Sequence, residues 1–353
     1  MEEKLTKRIY SFDFLRILAV CAVVMIHISA DYIKAFDNSS AAFVWGNLFS
    51  CLSRFAVPVF LMISGALMLD EEKHLPPKRI MKATFSILML IIAWSLIYTI
   101  GYNVIRPIAF NEPLSVSDIL STLFNGHYHM WYLYVLVGLY LITPLLRFFV
   151  KKENAGLIGN YLIFSVLICF VFSFLNEFIT GHLGKEDILA GFLMNFDFKY
   201  IYEYLIYYVL GWYIANVEFK KVTRIIIYIG GIAGLLSTFV GTHFHYGNER
   251  GNYFVSNNSL NVFLYSLAIF VFVYYLFKNR NIVLSKFWLK TSKLTFGVYI
   301  VHCIFLFVLK LICNVISSVL LQILTVFIGC IALSFVSVFI MSKLPLIKKL
   351  IRE

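Results

Sequence analysis

Ten apolar runs, each about 20 residues long, divide this chain: 10–31, 45–69, 80–102, 129–150, 156–177, 199–217, 222–242, 260–277, 295–314 and 317–341. A helix of that length rises about 30 Å, the hydrocarbon thickness of a bilayer. Lipid offers no partner to a backbone N–H or C=O, so a span must satisfy its own hydrogen bonds. The fold class expected is therefore all-α, a polytopic integral membrane protein of about ten transmembrane helices. No linker, low-complexity tract or repeat of period about 20 to 50 interrupts the runs, and a single membrane domain over residues 1–353 is expected.

The net charge of +11 would suggest nucleic acid in a soluble protein, but 61% of the residues are hydrophobic and only 14% charged. The basic residues fall in short segments between the runs, a topological pattern, and no nucleic-acid partner is expected. The segments are Lys4, Lys7 and Arg8; Lys73, Lys78, Arg79 and Lys82; Arg147, Lys151 and Lys152; Lys220, Lys221 and Arg224; Lys278, Arg280, Lys286, Lys290 and Lys293; and Lys343, Lys348, Lys349 and Arg352. With both termini cytoplasmic, every one of them lies inside. The outer segments 103–128, 178–198 and 243–259 then carry few basic residues and several acids, among them Glu112, Asp118, Glu186 and Asp187. The first run is of span length, contains Arg16 and lacks a small-residue cleavage site, so it is expected as a retained span. Six cysteines without paired spacing read as small buried hydrophobes and imply neither a disulfide framework nor a metal site.

Residues 11–30, SFDFLRILAVCAVVMIHISA, place Asp13, Arg16 and His27 inside the first span. Eleven positions separate Arg16 from His27, three helical turns, so both project from one stripe about 16 Å apart. Asp13, one turn before Arg16, and Asp31, one turn after His27, extend that stripe. A titratable group in a span is costly and by default marks a functional site.

Three more stretches put polar groups where apolar ones would be cheaper. SRFAVPVFLMISGALM carries Arg54, then Pro58 and Ser64-Gly65; GHYHMWYLYVLVGLYLITP opens the fourth span with His127, His129, Trp131 and Tyr132; TSKLTFGVYIVH brings Tyr299 and His302 into the ninth, with Ser292 as the expected N-cap. In PLSVSDILSTLF, Ser117 is the expected cap of a short interfacial helix.

Taken in order, R-x10-H in the first span, R-F-A-V-P-V-F…S-G, H-x-W-Y-L and F-G-V-Y-x-V-H resemble the acyltransferase-3 family of integral-membrane acyltransferases over nearly the whole chain. The run H-M-W-Y-L-Y…G-L-Y-L-x-T-P is most similar to the stand-alone branch that includes the enterobacterial common antigen O-acetyltransferase. The resemblance implies transfer of an acyl group, usually acetyl, from cytoplasmic acyl-CoA to a carbohydrate hydroxyl at or beyond the outer face of a bacterial plasma membrane. It also implies that Arg16 and His27 are the motif pair for donor binding and catalysis. Acyl-CoA is a co-substrate, no cofactor is expected to stay bound, and the partners are acyl-CoA, a glycan or lipid-linked sugar, and the bilayer.

The chemistry of the residues agrees with this. An alcohol is a poor nucleophile at neutral pH and needs a base, a role that suits His27. Asp31 on the same face is a candidate to orient its ring and stabilise the imidazolium. Arg16 or Arg54 would meet the negative charge that develops on the thioester oxygen. CoA phosphates would be met by Arg16, Lys78, Arg79, Lys290 and Lys293. Arg54, Lys78, Arg79 and His302 join Arg16 on the donor side, and His129, Trp131 and Tyr132 are assigned to the acceptor. Plainer roles stand beside these: Asp13 neutralises Arg16, Trp131 and Tyr132 belong to an interfacial belt, and Lys310 snorkels. His243 and His245 have metal-ligand spacing without a companion cluster. The rival reading is a transporter exporting a surface polysaccharide or taking up a small solute, although Pro58 and Pro144 do not mark matching halves.

Overall fold

The computed structural model describes residues 8–105, 107–108, 113–183, 204–245, 249–345 and 347–351. Every regular element among them is helical. Glu112, Glu186 and Asp187 lie outside the described residues. The helices are α1 Tyr10–Ala35, α2 Ala41–Ser53, α3 Ala56–Met68, α4 Pro77–Tyr98, α5 Val116–Asn125, α6 Trp131–Phe149, α7 Ala155–Val166, α8 Phe172–Leu183, α9 Tyr204–Asn216, α10 Lys221–Phe244, α11 Glu249–Phe254, α12 Leu260–Arg280, α13 Lys286–Ser292, α14 Thr295–Cys313 and α15 Val319–Met341. Wider π-helical turns extend α4 over Thr99–Ile105 and join α7 to α8 over Leu167–Val171.

Among the described residues, nine helical stretches are long and apolar enough to cross a membrane, and each covers one of the apolar runs. The chain is a multi-pass membrane protein. The run at 199–217 is represented by α9, 13 residues long, while 199–203 lie outside the described residues. The short helix α5 is capped by Ser115, whose hydroxyl accepts from the Asp118 N–H, and not by Ser117. Ser292 closes α13 instead of capping α14, and is engaged elsewhere.

The described residues form two compact units. The first, Met1–Asp70 with Val150–Phe335, contains α1 to α3, α7 to α14 and most of α15. Its α1 has no glycine or proline in 26 residues and packs against α2, α3, α12, α13 and α14. Near its C-terminal end, Val24, Met25 and Ile28 bury themselves against Leu306 and Cys313 of α14 and Ile323, Val326 and Cys330 of α15.

The second span is two helices, broken at Arg54-Phe55. Pro58 explains the break: it has no N–H to give the Arg54 carbonyl, and its ring would clash with that carbonyl in a continuous helix. Within α3, where Pro58 is third, a missing donor costs nothing, since first-turn N–H groups have no helical acceptor.

Two crossings in this unit depend on glycine. A Cβ at Gly65 would lie 1.7 Å from the Tyr208 carbonyl oxygen, and one at Gly211 would lie 1.9 Å from that of Met62, so α3 and α9 touch backbone to backbone. Between α10 and α12, Gly231 and Gly234 face Ala268 and the Asn261 carbonyl, and Asn261 donates to the Thr238 hydroxyl across the crossing at 2.8 Å.

The second unit, Glu71–Phe149 with Val336–Glu353, is organised on α4, which packs against α5, α6 and the 3-10 turn Ile347–Ile351. The Trp94 indole donates to the Leu350 carbonyl at 2.7 Å, and Arg147 donates to the Lys73 carbonyl at 2.8 Å. Asn103 on the π-helical extension reaches the Thr122 hydroxyl at 2.7 Å and the Asp118 carbonyl at 2.9 Å, tying α5 to α4.

Candidate active site

The polar stripe of α1 keeps its predicted spacing because the helix runs unbroken through it. Asp13 at its N-terminal end is 2% exposed. Its carboxylate accepts twice from Arg8, at 2.7 and 2.9 Å, and again from the Ser292 hydroxyl at the end of α13. With those acceptors taken, Arg16 is held only loosely, 3.5 Å from the same carboxylate. Arg8, not Arg16, is therefore the main counter-charge of Asp13. Among the described residues most of the Arg16 guanidinium donors remain uncommitted, and a third of its side chain is exposed, at 32%.

At the other end His27 is half-buried and stacks on His302 of α14, with ring centroids 5.3 Å apart and planes inclined by 27°. His302 is fully buried, and its Nδ1 lies 2.6 Å from the Tyr299 carbonyl. A carbonyl only accepts, so Nδ1 donates to it, while Nε2 lies 3.4 Å from the Cys303 sulfur. Tyr299 itself is tilted against His302 at 6.3 Å.

Lys310 reaches this end as well. Its ammonium donates to the His27 carbonyl at 3.1 Å and pairs with Asp31. It joins α14 to α1. Asp31 is accordingly committed to a cation, and its side chain is 60% exposed; the ring packed on His27 is that of His302.

Arg54 sits at the break of the second span, with Nε and Nη2 at 3.2 and 2.7 Å from the Ser50 hydroxyl. Among the described residues no carboxylate pairs with it, so a cation is held at the joint of a membrane helix by a neutral group.

Lys78, Arg79, His127, His129, Trp131 and Tyr132 belong to the second unit, and His243 and His245 to the first. Lys78 and Arg79 are exposed in the first turn of α4, which holds no acid. His127 and His129 are buried with their Nδ1 atoms 2.8 Å apart, so one proton lies between two imidazoles. Tyr98 stacks on His127 at 4.4 Å and meets His129 edge-on at 5.1 Å. Gly126, with φ of 75°, turns the chain from α5 into this pair in a conformation that favours glycine. Trp131 is exposed whereas Tyr132 is buried, so the two rings do not share a face. His243 and His245 are held by different rings, His243 by Phe43 and Phe239 and His245 by Phe254.

Sequence spacing did not point to the Ser292 bond to Asp13, the Lys310 bridge or the role of Tyr98. The nearest signal was cost: each is a polar or aromatic group beside an apolar run that also holds a titratable one.

A family model described as an acyltransferase domain matches residues 9–341. The chain belongs to the acyltransferase-3 family. No curated protein and no solved structure matches it. The family match begins at the residue before α1 and ends with α15, so it takes in every candidate named above. In this membrane acyltransferase, α1 carries both members of the Arg16–His27 pair. On that helix lie a half-buried imidazole and, three turns away, a guanidinium 3.5 Å from the Asp13 carboxylate.

Proposed function

We propose that this protein is an O-acyltransferase that moves acetyl from cytoplasmic acyl-CoA to a hydroxyl of a cell-envelope glycan or lipid-linked sugar, in the manner of the branch that includes the enterobacterial common antigen O-acetyltransferase. Its membrane would be a bacterial plasma membrane, with both termini cytoplasmic. The observation that carries the reading is the His27–His302 stack on the same helical stripe as Arg16.

His27 takes the proton of the acceptor hydroxyl as its oxygen attacks the thioester carbonyl. The C–O bond forms, the C–S bond breaks, and the departing CoA thiolate recovers the proton from His27. The buried ring of His302 supports the imidazolium that forms in between. Arg16 holds the donor, and Arg54, with no carboxylate paired to it among the described residues, is offered to the developing oxyanion or to a phosphate. Lys78 and Arg79 are assigned to CoA phosphates on charge alone, and His129 and Trp131 to the acceptor. Tyr132, being buried, does not present its ring.

Asp31 orients His27 through Lys310: the carboxylate fixes the ammonium, and the ammonium fixes the backbone carbonyl of His27. The test is release of free CoA from acetyl-CoA by purified protein in lipid, supplied with envelope glycans. Release that requires acceptor and falls on the order of 10²–10⁴-fold in His27→Ala is expected. Equal release by the variant would remove His27 as the base. The broken second span also suits a transporter. Solute flux in vesicles without acyl-CoA, from folded protein that releases no CoA, would replace the acyltransferase reading with that one.

A further inference from the structure

We infer that the groove between the N-terminal turn of α10 and the C-terminal turns of α12 binds the headgroup of an anionic phospholipid. The groove has a volume of about 320 Å³ and lies wholly within the first unit. Its polar rim is cationic, formed by Lys221 and Arg224 from α10 and Arg280 from α12. Lys220 sits at the N-cap of α10, and the first turn contains no acid. Cations at the positive end of a 24-residue helix are unfavourable by themselves and are relieved by an anion placed there.

No carboxylate lines the groove among the described residues, and Glu218, next to α10, is paired with Lys278 at 3.4 Å. Arg224 lies 4.3 Å above the Tyr275 ring, which fixes the plane of its guanidinium, and its buried Nε has no hydrogen-bond partner. A fixed guanidinium with an unsatisfied donor is suited to phosphate.

What makes the phosphate that of a lipid is the rest of the groove. Its floor is Ile225 and Phe272, both exposed. Beyond Ile225, the residues Ile229, Ile232 and Leu236 continue at intervals of three and four, 63%, 63% and 59% exposed, as one apolar stripe along a helix long enough to span the membrane. Cations at the head of a lipid-facing stripe match an amphiphile, with the phosphate at the rim and an acyl chain along the isoleucines. Basic recesses between transmembrane helices bind anionic headgroups by this logic. The inference is independent of the proposed acyl transfer.

The test uses the full chain in neutral detergent. Binding of dioleoyl phosphatidylglycerol, dioleoyl phosphatidylcholine and inorganic phosphate is measured by native mass spectrometry and thermal unfolding. The expected result is tight binding and protection by phosphatidylglycerol alone. In Arg224→Gln/Arg280→Gln, affinity should weaken about 25-fold, at roughly fivefold for each cation removed. Lys348→Gln/Lys349→Gln, which removes the same charge from the other unit, should leave it unchanged. Should the double variant fail to fold, the exposed Asn279→Glu, which adds a carboxylate at the groove, should weaken it about fivefold. Equal phosphatidylglycerol affinity in wild type and groove variants would overturn the site. Protection by inorganic phosphate as strong as by phosphatidylglycerol would overturn the lipid.

Discussion

The two ends of α1 each carry an aspartate that ties the helix to the α13–α14 segment, yet the two ties are of different kinds. Asp13 is 2% exposed and accepts from Arg8 twice and from Ser292. Asp31 has a side chain 60% exposed and meets one lysine. A buried carboxylate stripped of its donors cannot turn to water, whereas an exposed ion pair is screened and contributes little. The first end is therefore an anchor, and the second is a soft tie around a ring that has chemistry to perform.

Four changes test this contrast. His27→Ala should cost the most, on the order of 10²–10⁴ in acyl transfer, while thermal unfolding in lipid stays near wild type; a protein equally destabilised would make His27 a packing residue. Asp13→Ala should do the reverse, lowering stability by about 2–3 kcal/mol through lost charged hydrogen bonds, seen as a drop in Tm. If Tm is unmoved, the anchor is not one.

Arg16→Lys keeps the charge and loses the planar fork, so it should raise the KM for acyl-CoA by about tenfold with little change in kcat; an unchanged KM would remove Arg16 from the donor. Smallest is Lys310→Met, about 1 kcal/mol or less in stability. Its effect should shrink as salt is raised, while that of Asp13→Ala persists. Parallel salt responses would erase the distinction between the two ends.

The stripe of α1 was legible because Arg16 and His27 are local, three turns apart on one helix, and periodicity alone sets their common face. The spans were legible for the same reason: length and apolarity are properties of a window. What escaped depends on residues far apart in sequence. Ser292 and Lys310 each lie 279 positions from the aspartate they bind, and nothing in spacing brings them there. The cap at Ser115 was missed by two residues, since Ser115 and Ser117 present the same chemistry and only the turn of the chain chooses between them. The break at Arg54 was readable in principle, four residues before Pro58, where the proline ring displaces a carbonyl.

The neighbours of Asp13 also bear on how this protein is made. Arg8 and Arg16 are five and three residues away and emerge with it, whereas Ser292 is synthesised 279 residues later. A nascent first span carrying a bare carboxylate would be held back from lipid. Here the local arginines neutralise that carboxylate as soon as the helix forms, and Ser292 joins only when the ninth-span region arrives. The same aspartate thus serves the ribosome-bound chain first and the finished protein afterwards.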